Sequence, residues 1–257
     1  MLSIIIPTLN EGRYLPSLLR SIKRQNFKEK YEIIVADAGS ADKTIKIAKS
    51  FGCKVIKGGL PARGRNEGAK IARGEDLLFL DADLNLPGDF LKESLKEFKA
   101  RKLDVASFGL RPREGKKIVK IGFDLLYNRP IALSQKFLAH GAMAILVKKN
   151  IFEKVGGFDE RIKLAEDHYF TRRAFKIGKF GVIKSTKVYI AMRRFEADGY
   201  LLTIFKYFLC QLFMFSGKPV KSNIFKYKFN HYLPSEAKPS EGKKECKALF
   251  GCPKEEK

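Results

Sequence analysis

The 257-residue chain is predicted to be an α/β protein, a mixed, mostly parallel sheet flanked by helices, with an amphipathic helical segment towards its C-terminus. Three observations lead there. Short β-rich runs (LSIII, EIIVAD, CKVI, DLLFLDAD and LDVASFG) alternate with helical patterns through the first half. Between them, Leu15, Leu18, Leu19 and Ile22, and later Leu91, Leu95 and Phe98, recur at the spacing of one helix face. Polar and acidic residues gather just after the strands, and in sheets of this kind ligands bind beyond the strands' carboxyl ends.

Taken in order, strand one leads into PTLNEG, strand two ends on Asp37 and AGSADKT, and strand four delivers Asp81 and Asp83. This puts Thr8, Asn10, Glu11, Asp37, Asp81 and Asp83 on one rim. In an extended strand residues i and i+2 point to the same side, so Asp81 and Asp83 are expected to share one. Two carboxylates that close repel each other unless a cation lies between them, and a divalent ion with oxygen ligands meets that need. A strand end followed by a helix cap is the plainer account of the same stretch. A dinucleotide-binding dehydrogenase also carries an acid after strand two, but here the turn after strand one contains the single glycine Gly12 in place of GxGxxG.

After RPREGKK the pattern changes. An amphipathic stretch (Ile118, Ile121, Leu125) precedes the strand-like AMAILV, the turn GGFDE, a helix opening at Glu166 and Asp167, and YIAMRRFEADG. Tyr200 to Phe215 is apolar almost all round, yet it carries Lys206 and Gln211 and falls short of the roughly 20 residues that span a bilayer. From Gly217 on, Lys, Glu, Pro and Ser dominate, as in a loosely ordered basic tail.

A net charge of +23 favours an anionic partner: nucleic acid, an anionic membrane face or a phosphorylated substrate. Cys53, Cys210, Cys246 and Cys252 form no CxxC pair and no metal-ligand spacing with the histidines, which fits thiols in a reducing cytosol. The opening MLSIIIPTLNE runs straight into a strand-like stretch without the n-region or cleavage site of a signal peptide, so a cytoplasmic location is expected.

Five motifs in order, SIIIPTLNE, DAGSADKT, GRNEGAKIARG, LDADLNLP and GGFDE followed by AED, resemble those of glycosyltransferase family 2 over roughly residues 2 to 195. The resemblance implies the A-type nucleotide-sugar fold, a Rossmann-like nucleotide-diphospho-sugar transferase architecture, and transfer from a UDP- or GDP-linked sugar. It implies that Asp83 ligates Mg2+ or Mn2+ and that Asp81 contacts the ion or the ribose. Asp37 would accept a hydrogen bond from the base, with Pro7, Thr8 and Glu11 lining the same pocket, and Arg65 would offer its planar fork to the nucleotide. Asp167 is the candidate general base, on the side opposite the leaving diphosphate, with inversion as the consequence. Glu166 and Asp167 would equally favour a helix N-terminus. Arg193 and Arg194 would clamp phosphate of donor or acceptor, or stand as surface charges at a strand end.

Ala38 replaces the second acid that many members carry. Phe195 and Ala191 interrupt the QxxRW motif of processive synthases, so a single sugar transfer is expected. The expected organisation is a catalytic domain over 1–195 (donor-binding half 1–110, acceptor half 111–195), an apolar membrane-associating helix over 196–216 and a basic tail over 217–257. The apolar segment and the lysines together make a two-part anchor for the cytoplasmic face of the cell membrane, with a lipid-linked or glycan acceptor. A hydroxyl acceptor is favoured over the phosphate acceptor of a polyprenyl-phosphate mannosyltransferase. A nucleotidyltransferase would need no acceptor-side base. For a nucleic-acid-binding protein the lysines are spread along the whole chain without a helix-turn-helix or RRM signature, so no nucleic-acid partner is expected.

Overall fold

The computed structural model describes residues 1–113, 117–141, 143–162 and 165–191; the 196–216 segment, the tail and the Arg193–Arg194 pair lie outside the described residues. The strands are β1 (Leu2–Thr8), β2 (Tyr31–Asp37), β3 (Lys54–Lys57), β4 (Asp76–Leu80), β5 (Leu84–Asn85), β6 (Val105–Pro112), β7 (Ala144–Lys148) and β8 (Phe180–Ile190). They form one eight-stranded sheet in the order β3-β2-β1-β4-β7-β6-β8-β5. The first four in that order are parallel. β7 then enters antiparallel to both β4 and β6, β8 runs parallel to β6, and the short β5 closes the edge antiparallel to β8. The expected mixed, mostly parallel sheet is therefore present.

Period-two alternation explains why the strand sequences read as unbroken apolar runs. Ile4, Ile6, Val35, Leu78, Leu80, Ala106 and Leu146 face one layer; Ile5, Ile34, Leu77, Phe79, Val105, Ile145 and Val147 face the other, and all are buried. The first layer is completed by α1 (Leu15–Lys23), α2 (Thr44–Ser50) and α4 (Phe90–Ala100), the second by α3 (Pro61–Ile71), α7 (Lys149–Val155) and α8 (Glu166–Phe175). A helical run of α5 (Lys117–Phe123), a π-helical turn (Asp124–Asn128) and α6 (Arg129–Ser134) joins β6 to β7. Among the described residues no helix is long and apolar enough to cross a membrane.

Two expectations need correction. The DLLFLDAD run does not stay extended to Asp83: β4 ends at Leu80, and the Leu84 amide donates to the Asp81 carbonyl at 3.3 Å to close a turn. The i, i+2 argument for a shared side therefore fails, because it holds only in extended backbone. β8 was legible only at its end, where YIAMRR begins. Its pairing passes from Phe108↔Ile183 to Gly109↔Lys187, so Lys184, Ser185 and Thr186 bulge out and break the alternation that marks a strand. Glu97 of α4 collects the bulge, accepting from the amides of Lys184 (3.0 Å) and Ser185 (2.8 Å) while Arg101 donates to it at 2.6 Å.

Burial raises the Glu97 carboxyl, and these hydrogen bonds outweigh it, so its pKa lies below the ordinary glutamate value. The folded state then binds fewer protons than the unfolded one, and the stabilisation is complete above the unfolded pKa and lost as pH falls through the folded one. Glu97→Gln is expected to cost about 1–3 kcal/mol at pH 7 by the loss of charge-assisted bonds. The gap between the urea midpoints of variant and parent should narrow below about pH 4.

Candidate active site

The carboxyl ends of β1, β2 and β4 face one side, and two loops there are stitched together by their own side chains. Asp37, buried at the end of β2, accepts from Thr8 Oγ1 (2.8 Å) and Ser40 Oγ (2.6 Å) on one oxygen and from the amides of Gly39 (3.0 Å) and Ser40 (2.7 Å) on the other. Asn10, at φ 55°, donates its backbone amide to the Ser40 hydroxyl oxygen and accepts from the Ala41 amide with its side chain. The Glu11 amide donates to Thr44 Oγ1 and the Gly12 amide to Asp42 Oδ2, each at 2.9 Å. The structure thus gathers Pro7, Thr8, Glu11 and Asp37 at one corner, as expected, and gives Asp37 a structural duty that its sequence context did not signal.

The centre of the site is Arg65 on α3. Pro61 at the first turn starts this helix, and the small residues Ala62, Gly64, Gly68 and Ala69 are buried on its sheet-facing side. That close seat carries Arg65 inside, to 4% exposure. Its Nη2 donates to Asp81 at 2.7 Å and its Nη1 to Glu166 at 2.5 Å, and the guanidinium stacks over the Phe158 ring at 5.2 Å. The fork that was expected to face a nucleotide is directed at these two carboxylates. Arg65 is also the cation that the Asp81 charge required.

Burial alone would lower the Arg65 pKa, but Asp81, Glu166 and Asp167 more than reverse that, and the guanidinium stays charged. Burial pushes the Glu166 carboxyl up, Arg65 pulls it back, and Asp167 adds to the rise. Glu166 is the residue that sequence reasoning undervalued, since in the chain it looks like an ordinary first-turn acid. Its signal lies in the pairing with Arg65, 101 positions away.

The GGFDE turn holds this arrangement through Phe158, whose ring lies against the Arg65 guanidinium. Gly156 ends α7 at φ 78°, a conformation that glycine adopts without penalty. The Asn66 side chain then pairs with the backbone of Phe158, donating to its carbonyl and accepting from its amide, both at 2.9 Å. Phe158 itself packs among Phe79, Phe152 and Phe170.

Asp167 is half-buried in the first turn of α8, and its Oδ1 accepts from the His168 amide at 2.7 Å. A Cβ on Gly141 would lie 2.4 Å from the Asp167 carbonyl carbon, so only glycine lets the strand leading to β7 pass there. Next to it the His140 and His168 rings meet edge to face at 4.1 Å, and Tyr127 shares a 3.0 Å hydrogen bond with His140 Nε2. Burial keeps both histidines below the ordinary imidazole pKa, and hence neutral at pH 7. These three residues had no recognisable spacing in the chain. Asp83, half-buried, sits in the turn after β4.

Removing Arg65 strands the buried carboxylate of Glu166 and the half-buried one of Asp81. Arg65→Met is expected to cost roughly 3–5 kcal/mol in urea unfolding. Adding Glu166→Gln should recover part of that loss, because the group left behind is then uncharged. No recovery in the double variant would assign the effect to the Phe158 stacking instead.

The likenesses to known proteins agree with this geometry. A model described as Glycosyl transferase family 2 matches residues 3–156. The poly(ribitol-phosphate) beta-N-acetylglucosaminyltransferase TarS of Staphylococcus aureus is 27% identical over 208 residues, 75% of this chain and 35% of TarS, so the chain spans about a third of that relative. A PGL/p-HBAD biosynthesis glycosyltransferase of Mycobacterium bovis is 30% identical over 197 residues, 68% of this chain and 70% of the relative. The crystal structure of S. aureus TarS 1–349 in complex with UDP-GlcNAc superposes with a TM-score of 0.61 at 26% identity, covering 74% of this chain and 58% of the other. With the family model matching more than half of its length and the expected nucleotide-sugar transferase architecture in place, the chain belongs to glycosyl transferase family 2.

Proposed function

We propose that the protein is an inverting glycosyltransferase that moves one sugar from a UDP- or GDP-linked donor to an acceptor hydroxyl, with a lipid-linked acceptor at the cytoplasmic membrane surface. The observation that carries this reading is the Arg65 bridge, which joins Asp81 beneath the donor-side loops to Glu166 beside Asp167. The bridge holds a candidate base at a set position relative to the rim where a donor would lie. The TarS neighbour in complex with UDP-GlcNAc supports a nucleotide-sugar donor.

In the proposed step the acceptor oxygen attacks the anomeric carbon while Asp167 takes the hydroxyl proton. The bond from that carbon to the diphosphate breaks, and the nucleoside diphosphate leaves with the electron pair. Attack opposite the leaving group inverts the configuration. Pro7, Thr8, Glu11 and Asp37 are proposed to border the base, with the Asp37 loop rigid before a ligand arrives.

The charges here call for a further cation. Asp81, Glu166 and Asp167 gather around the buried guanidinium of Arg65, Asp83 follows in the turn after β4, and a diphosphate adds more negative charge. Mg2+ and Mn2+ suit one or two carboxylates together with phosphate oxygens and water. Among the described residues no group of three or more His, Cys, Asp or Glu is placed to hold an ion. Asp81 and Asp83 are the carboxylates that would hold such an ion, and it would supply positive charge to the leaving diphosphate.

Two variants test the reading. Asp83→Asn should remove the Mn2+-dependent thermal stabilisation by UDP- or GDP-sugars, since an amide does not replace a charged hard-ion ligand. Undiminished Mn2+ dependence would overturn the metal assignment. Asp167→Asn should keep donor binding but lower transfer by 10²–10⁴-fold. Near-normal turnover would refute the base.

A further inference from the structure

Among the described residues, the helical run between β6 and β7 has one face with a partner and one without. Inward, the Asn128 side chain accepts from the Leu110 amide at 2.8 Å and donates to its carbonyl at 2.9 Å, serving β6 as a neighbouring strand would. Val119, Phe123 and Tyr127 pack on one core layer and Ile131 on the other. Outward, Leu126 (82% exposed), Leu133 (80%) and Phe137 (87%) stand in water, with Ile121 and Leu125 about half exposed. Of the large exposed apolar side chains among the described residues, only Met1 and Ile177 lie elsewhere, so the apolar surface is concentrated here and not scattered.

The charges of the same run all but share one sign. Lys117, Lys120, Arg129 and Lys136 are its cations, and Asp124 is its one acid. Asp124 is already engaged by Lys187 and, at 3.5 Å, by Arg129. An apolar face set among cations complements a surface that is apolar beneath and anionic above.

We infer that this face, Ile121 to Phe137 with its lysines and Arg129, is the membrane-docking surface of the folded domain. Leu126, Leu133 and Phe137 enter the headgroup boundary of an anionic bilayer while the cations meet its phosphates. A second copy of the chain is a poorer occupant, because a two-fold contact through this face sets its cations against their own copies. From its middle turn the run also reaches the neighbourhood of the candidate base: Tyr127 bonds His140, whose ring lies against His168, the residue after Asp167. Docking here would bring the acceptor side of the site to the lipid. The inference extends the lipid-linked reading above, and its test measures lipid binding apart from sugar transfer.

The experiment is co-sedimentation of the full 257-residue chain with phosphatidylcholine vesicles, with and without phosphatidylglycerol, at low and high salt. The parent should bind the anionic vesicles, and more weakly at high salt. The triple variant Leu126→Glu, Leu133→Glu, Phe137→Glu should bind at least tenfold more weakly. Its melting temperature and its thermal shift with UDP- or GDP-sugars should stay unchanged, because the three side chains are exposed. The variant Lys117→Gln, Lys120→Gln, Lys136→Gln, which leaves the apolar face intact, should lose the preference for anionic lipid. Parent-like vesicle binding by the triple variant overturns the inference, as does equal binding to neutral and anionic vesicles. Self-association of the parent that the triple variant abolishes, read by sedimentation velocity, overturns it in favour of a second copy. Loss of every donor-induced shift with vesicle binding intact would sink the proposed function and leave this surface standing.

Discussion

The site depends on one buried cation. Arg65 lies in the interior with a carboxylate on each arm of its fork, one from the end of β4 and one from the first turn of α8. Taking a guanidinium out of water is costly unless it is fully paired, and this one is paired with residues that are far apart in the chain. The consequence is geometric. The donor-side rim and the helix that bears Asp167 cannot move independently without breaking a short, charge-assisted bond in a region of low dielectric. The surrounding pieces serve that junction: small residues seat α3 on the sheet, Asn66 clips the GGFDE turn to it, and the cluster of four phenylalanines fills the space beneath.

The two sides of the junction are built differently. On the β1–β2 side the loops satisfy themselves, with both oxygens of Asp37 spent on loop donors, so the rim is formed in advance. On the α8 side the contacts run through the rings of His168, His140 and Tyr127 to a helical run whose outer face is apolar and cationic. A preorganised rim suits a ligand of constant chemistry such as a nucleotide. The docking proposed for that run would bring the site to an acceptor delivered from a membrane. This division gives the proposed transfer its physical sense.

The sequence by itself determined the sheet and its chemistry-bearing rim. Strands buried on both faces, such as LSIII and DLLFL, must be apolar throughout, and helices such as α1 and α4 must repeat their apolar residues at 3.6, so both periods were legible from local pattern. Thr8, Asp37 and Asp81 were legible as well, because carboxylates and hydroxyls stand out at the end of a buried apolar run. Only the tertiary structure decided what those groups meet. Asp81 was read beside Asp83 in an extended strand, whereas the chain turns after Leu80 and Asp81 meets Arg65 instead. Glu166 became a buried counter-ion, and β8 kept its place despite a polar bulge because Glu97 caught the bulged amides. His140, His168 and Tyr127 formed a cluster with no spacing to announce it. The reason is the same in each case: a residue's partner across many positions is set by how the layers pack, and packing is a property of the whole chain that no local period encodes.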